Sequence, residues 1–292
     1  VNNLKLIVLL TSMESIHSAA LAHAERLAAA TGARLHILVP VYSKMIAFAG
    51  MLNRKGAAEA RLGMLQQFER LLRQEAAAIQ LEGVEVTTEL LWAKPKASAV
   101  LKRIDALSPD LVIKVADPER SVSWPGRSLD RALLRHCRQP VLISRRASGI
   151  PQHIAAAVDM NRPWPYQGDI SRHLVEEAES LAGIYGADLH LIQAEPAVAE
   201  VATSGRRRRS SPASQIKDAF VRLADSHGVP GKQRHRLSGA TVPAILDFLG
   251  HNTVDMLVVG NPQRPAAQRL LFGNHAERIN LHADCDTITF SS

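Results

Sequence analysis

The sequence predicts an α/β fold: two tandem doubly wound domains, each a five-stranded parallel sheet flanked by helices. The first observation is size and composition. The chain has 292 residues, 46% hydrophobic and 22% charged, an ordinary globular composition with room for two domains of about 150 residues each. The second is an internal repeat. AERLAAATGARLHIL (24–38) aligns without a gap on AESLAGIYGADLHLI (178–192), SPDLVIKV (108–115) on TVDMLVVG (253–260), and LLRHCRQPVLIS (133–144) on INLHADCDTITF (279–290) with a one-residue shift. Three matches in the same order mark a tandem duplication, with domains at 1–148 and 149–292. The third is alternation within each copy. Short apolar runs alternate with longer stretches of helical period, as parallel strands joined by helical crossovers require.

The elements of the first copy follow in order. LKLIVLL lacks polar alternation and reads as a strand buried on both faces. Residues 15–31 carry Ile16, Ala20, Leu21, Ala24, Leu27 and Ala28 at helical spacing, and Gly32 ends that helix as a C-cap. RLHILVPV is the second strand. Residues 57–81 form a long helix with Leu62, Leu65, Phe68, Leu72 and Ile79 on one side. VEVTTELLW alternates and suits an edge strand with one wetter face. A helix over 97–107, the strand DLVIKV, a helix over 127–136 and the strand PVLISRR complete the copy, and the second copy repeats the order. The last strands, PVLISRR and DTITFSS, would each be an unpaired edge. A fused pair is therefore expected to form an intramolecular pseudo-dimer through them, and a homodimer is also open.

Composition narrows the partners. No apolar run approaches the roughly eighteen residues that span a bilayer, so no membrane partner is expected. VNNLKLIVLL reads as a strand, not a signal peptide, because it lacks a small-residue cleavage site. Cys137 and Cys285 make neither a disulfide framework nor a zinc site. They read as repeat-equivalent packing residues, and a reducing cytoplasm is the expected compartment. The formal charge is +7, with Arg206, Arg207, Arg208 and Arg209 in one run between serine-rich flanks. That run reads as a solvated, phosphate-attracting loop; no aromatics are interleaved for base stacking, so nucleic acid is not expected. His36 and His190 are repeat-equivalent and lie within strands, which gives them a structural reading. His275, His282, Asp284, Cys285 and Asp286 lack metal-ligand spacing, so no metal is expected. MIAFAGML (45–52) is apolar where the second copy has the arginine run. It reads as an apolar loop that lids its domain or packs on the other, since left exposed it would be a liability.

In a doubly wound sheet, ligands sit outside the carboxyl ends of the strands where the strand order reverses. That points to the turn after the first strand, the end of the second, and the loop after the fourth. In the second copy the loop after the fourth strand is GNPQRPAAQRLLFGN (260–274).

This pattern resembles the universal stress protein family in its tandem form, over nearly the whole chain, and most of all the E-type two-domain members. The resemblance implies a Rossmann-like, adenine nucleotide alpha hydrolase-like fold and a nucleotide site. In nucleotide-binding members the first strand ends in Val-Asp. The fourth runs into Gly-x-x-Gly, nine residues, then Gly-Ser or Gly-Thr. Here IAAAVD (154–159) supplies the first element, and Gly260 and Gly273 the outer glycines. Gln263 replaces the middle glycine and Asn274 the final Ser or Thr. In the first copy Thr11 stands where the Asp would be, and DPERSVSWPGRSLD lacks a suitable glycine pair. The C-x-x-P-V frame at Cys137–Val141 is also family-like.

These departures weaken the second site without abolishing it. Gln263 has a Cβ and a long side chain where a glycine would let the backbone approach a phosphate. Asn274 is able to cap the last helix, whose N–H groups face an anion. Arg264 and His275 lie beside these positions. The expected ligand is ATP or another adenine nucleotide in the second domain, bound weakly through Asp159, Ala194, Gly260, Gln263, Arg264, Gly273, Asn274 and His275. The first domain's site is degenerate. The leading reading is a cytoplasmic stress-response protein that binds a ligand or partner and has no catalytic centre. Two alternatives stay open: a nucleotide-hydrolysing or -transferring enzyme using the second cleft, and a structural interaction module with no ligand. No Walker lysine and no base paired with a nucleophile is legible to favour the enzyme.

Overall fold

The structure, a computed structural model, describes residues 1–81, 83–93, 97–117, 128–146, 150–160, 166–195, 212–261 and 275–291. The chain divides into two compact units, Asn2–Gly149 and Ile150–Ser292.

The first unit runs β1 (Leu6–Leu10), α1 (Ala19–Thr31), β2 (Arg34–Val41), α2 (Lys44–Leu52), α3 (Arg54–Leu81), β3 (Val86–Trp92), α4 (Ala97–Leu107), β4 (Leu111–Val115), α5 (Leu129–His136) and β5 (Val141–Ser144). Its strands lie in the order β3-β2-β1-β4-β5 and pair in parallel. The core forms on both faces of this sheet, as uninterrupted apolar strands demand. Ile7, Leu9, Leu35, Ile37, Leu111 and Ile113 are fully buried, each contributing about 2 kcal/mol of hydrophobic stabilisation. All six apolar residues that define the first helical period are buried, although the helix itself starts at Ala19, after Ile16. Gly32 takes φ 70° at its end, a left-handed cap that a side chain would strain.

Two expectations fail here. MIAFAGML is not a loop: it is most of α2, which has no buried residue. Leu62 does not join the core but is 56% exposed. The reason is length. The 28 residues of α3 span about 42 Å at 1.5 Å each, whereas the eight residues of β2 span about 26 Å. Only the later part of α3 has sheet beneath it, where Leu72, Ala76 and Ile79 are buried. The overhanging part is held from below by Arg61, whose guanidinium sits 4.6 Å from the Trp92 ring centroid.

The second unit runs β6 (His153–Val158), α6 (Tyr166–Tyr185), β7 (Asp188–Glu195), α7 (Pro212–Ser226), β8 (Arg234–Ser238), α8 (Thr241–His251), β9 (Met256–Asn261), α9 (His275–His282) and β10 (Asp286–Ser291). The parallel order β8-β7-β6-β9-β10 repeats that of the first unit. Equivalent carboxylates clamp the start of each first strand. Asp110 Oδ2 accepts the N–H groups of Lys5 and Leu6 at 2.8 and 2.9 Å. Asp255 Oδ2 accepts those of Gln152 and His153 at 2.7 and 2.9 Å. Leu6 therefore corresponds to His153, and the residue equivalent to Asp159 is Ser12, not Thr11. Helix ends correct a second equivalence. The N–H groups of Cys137 and Ala283 each bond the carbonyl four residues back, at 2.8 Å. Cys137 thus corresponds to Ala283, and Cys285 lies two residues further on. Both cysteines are buried, and burial pushes the Cys137 thiol up to about 11, so it packs and does not react.

His36 is buried, with Nδ1 2.8 Å from Thr87 Oγ1. His190 belongs to a row across three strands. Its Nδ1 lies 3.1 Å from His235 Nε2, the two rings stack at 5.4 Å, and His153 meets His190 edge-on at 5.6 Å. Phe248 of α8 closes the row, 4.7 Å from the His235 ring. Burial lowers the His190 pKa below 6.5, helped by His235, His153 and Lys232 and opposed by Asp188; burial lowers that of His235 as well. The folded state thus keeps these rings neutral while the unfolded chain takes up protons near pH 6.5. Stability from the row is complete above that pH and is lost as pH falls through it toward the lowered folded values. The urea midpoint should drop between about pH 7.5 and about pH 5.5, and His190→Phe should flatten the dependence; an unchanged pH profile in that variant would remove the row from this role.

Candidate functional site

The strand order reverses between β6 and β9 in the second unit. Val158 closes β6 and Asp159 follows it; Ala157 pairs with Val259, so Gly260 stands at the level of Val158, one residue before Asn261 ends the neighbouring strand. On the other side of β6, Val158 pairs with Gln193, and Ala194 is the next residue. Asp159, Gly260 and Ala194 therefore meet at the carboxyl ends of three adjacent strands. His275 is the exposed first residue of α9. Gln263, Arg264, Gly273 and Asn274 lie outside the described residues, as does the run Arg206–Arg209.

Two side chains that the sequence reading passed over set this end of the sheet. Gln193 is fully buried; its Oε1 accepts the N–H of Met160 at 2.8 Å, and its Nε2 donates to the Ala194 carbonyl at 2.9 Å. One amide thus ties the chain leaving β6 to the end of β7. Ser171 of α6, also buried, places Oγ 3.4 Å from both the N–H and the carbonyl of Asp159. The signal was a lone glutamine inside LHLIQAE, a polar group that burial requires to be bonded. Gly260 carries less than its motif implied. Its φ is not positive, and a Cβ there would make ordinary contacts, 3.8 Å to Ile170 and 3.9 Å to Leu174. The described backbone would therefore accept an alanine.

The corresponding place in the first unit holds a charge cluster. Lys114 sits in β4, 7% exposed. Its ammonium donates to Asp117 Oδ1 at 2.5 Å, Asp130 Oδ1 at 2.7 Å and the Val115 carbonyl at 2.6 Å. Asp130 Oδ2 accepts the Asp117 N–H at 2.8 Å. Asp117 Oδ2 in turn accepts Ser128 Oγ at 2.9 Å and the N–H groups of Leu129 at 2.7 Å and Asp130 at 3.3 Å. Those N–H groups are the start of α5, the position where a helix receives an anion. The protein's own carboxylate is the anion here. Burial pushes the Asp117 carboxyl up, but the Lys114 charge and the hydrogen bonds from Lys114, Ser128 and the Asp130 backbone outweigh it and hold it below 3.8. Among the described residues no group of His, Cys, Asp and Glu is arranged to hold a metal.

The sequence model of the universal stress protein family matches residues 5–145 and 152–290. A protein of Photorhabdus laumondii called universal stress protein E is 22% identical over 88% of this chain and 85% of its own length. Its namesake in Salmonella typhi is 23% identical over 88% and 84%. Among solved structures, a universal stress protein of Pseudomonas aeruginosa UCBPP-PA14 superposes with TM-score 0.77 at 20% identity, covering 99% of this chain and 94% of that one. One from Archaeoglobus fulgidus superposes with TM-score 0.64 at 12% identity, covering 97% and 96%. These structural likenesses establish the fold.

Removing the cation at the centre of the first unit's cluster tests its weight. Lys114→Ala leaves two carboxylates facing each other in a buried site and should cost about 3–5 kcal/mol of unfolding free energy. A urea midpoint within error of the parent protein would show that the cluster is solvated and unimportant.

Proposed function

Because the chain belongs to the universal stress protein family, a family of stress-response proteins, we propose that it is a cytoplasmic stress-response binding protein whose second unit takes an adenine nucleotide, ATP foremost, weakly and without turning it over. The observation that carries this reading is the contrast between the two units at the same place in the fold. In the first, the start of α5 donates to Asp117, so an incoming phosphate would have to displace a carboxylate held by Lys114. In the second, Asp159 just past β6 and Gly260 near the end of β9 lie side by side in sequence register where the strand order reverses, where doubly wound folds place nucleotides.

In this reading the adenosine end lies against Asp159 and the Ala194 edge, and Gln193 and Ser171 fix the backbone that carries them. The phosphates run along Gly260, Gln263 and Arg264 and toward Gly273, Asn274 and His275. Binding without turnover is part of this reading: Asp159 suits a ribose or a cation, and no base paired with a nucleophile is legible in the sequence.

Gln263 is the residue that weakens the site, because its side chain takes space a glycine leaves open. Gln263→Gly combined with Asn274→Ser should tighten ATP binding about tenfold, equivalent to about 1.4 kcal/mol, in a calorimetric titration of the full chain. Asp159→Ala should weaken binding in the same assay. Equal affinity in parent and double variant, or no heat from either, would rule the nucleotide reading out. Phosphate release from ATP that disappears in Asp159→Ala would make the protein a hydrolase instead.

A further inference from the structure

We infer that α2 is a docking surface for an anionic lipid membrane, lying flat in the interface rather than crossing it. The helix has an inner and an outer side. Ile46, Ala47 and Gly50 are half-buried, and Gly50 comes against α3 closely enough that a Cβ there would sit 3.6 Å from Ala57 Cβ. The opposite side carries Met45, Phe48 and Leu52, with Ala49, at the i, i+3, i+4, i+7 spacing of one helical face. Met45 is 83% exposed, Phe48 64%, Met51 81% and Leu52 81%. Soluble surfaces scatter such residues singly. Here four large ones occupy a single nine-residue helix, which marks a contact surface.

The overhang of α3 explains why nothing among the described residues of the first unit covers them. The helix α2 follows the carboxyl end of β2 and rests on the part of α3 that projects past the sheet. No strand among the described residues runs beneath it to receive the stripe, and the apolar side is exposed.

Charge selects the occupant. Lys44 opens the helix and Arg54 and Lys55 follow it, all exposed, and no acidic residue occurs from 44 to 58. An apolar face bordered by cations on a chain of net charge +7 is the composition that binds anionic headgroups while burying side chains among acyl chains. A second copy of the chain fits less well. A two-fold contact through this stripe would bring the cations that border it, Lys44, Arg54 and Lys55, toward the same set on the other copy. The absence among the described residues of a helix able to cross a membrane is compatible with a helix that lies on one.

Flotation of the full chain with vesicles tests this. Vesicles of equal parts phosphatidylcholine and phosphatidylglycerol should carry the protein, pure phosphatidylcholine should not, and salt should release it. Phe48→Ser with Met51→Ser, and separately Lys44→Glu with Arg54→Glu and Lys55→Glu, should each reduce the bound fraction on the order of tenfold. The melting midpoint should stay unchanged, because every altered side chain is exposed. Both variants keep Arg206–Arg209, so that run cannot explain a loss. Failure of the parent protein to float, or parent-like flotation of both variants, would overturn the inference. So would a concentration-dependent doubling of mass without lipid that Phe48→Ser with Met51→Ser abolishes, because a second copy would then be the occupant.

Discussion

A lysine set in a strand that is covered on both faces is stable only beside negative charge, and Lys114 is such a lysine. Its ammonium holds Asp117 and Asp130 together at the carboxyl end of β4. The bonding at this end of the first unit's sheet follows from that requirement. A buried ion pair returns its desolvation penalty only when the remaining lone pairs are also bonded. The carboxylates therefore take the Ser128 hydroxyl and the N–H groups of Asp117, Leu129 and Asp130. The helix start that would otherwise receive a phosphate is satisfied from within. The aligned residue in the second copy is Val259, which needs no counter-charge.

Duplication followed by divergence gives one sheet order two chemistries. The scaffold is held alike in both units by Asp110 and Asp255, each clamping the start of a first strand. On that common frame the first unit substitutes an internal ion cluster and an exposed apolar helix. The second keeps Asp159 and Gly260 where the strand order reverses and adds a half-buried histidine row toward its β8 edge. Conserving the clamps while varying the carboxyl-end residues separates what folds the domain from what the domain binds.

The alternation of strands with helices and the repeat were legible because they depend on apolar periodicity, which a short window of sequence records directly. Gly32 was legible for the same reason, as a left-handed cap demands that residue. The aligned positions were less so. Thr11 looks like the partner of Asp159 by distance from the chain start, but hydrogen bonds from the strand start to Asp110 shift the pairing by one, to Ser12. Lys114 was printed plainly in DLVIKV, yet a lysine in a strand does not say which carboxylates reach it: Asp117 and Asp130 are thirteen residues apart and meet only through the fold. Gln193 was hidden likewise, since its partners are the Met160 N–H, in the chain leaving β6, and its neighbour's carbonyl. The exposure of α2 depends on the difference in length between α3 and β2, a comparison that no local pattern contains.

In the proposed function the second unit offers a nucleotide a place, and the first closes the equivalent helix start with its own Asp117 carboxylate. Amide chemical shifts of the isotope-labelled full chain, recorded as ATP is added, address both halves at once. The N–H signals of Gly260, Asp159 and His275 should move together along one saturation curve, while those of Asp117, Leu129 and Asp130 stay fixed. Movement of the Leu129 and Asp130 signals with no change at Gly260 would contradict the claim, because it would put the anion at the helix start that Asp117 is held to occupy.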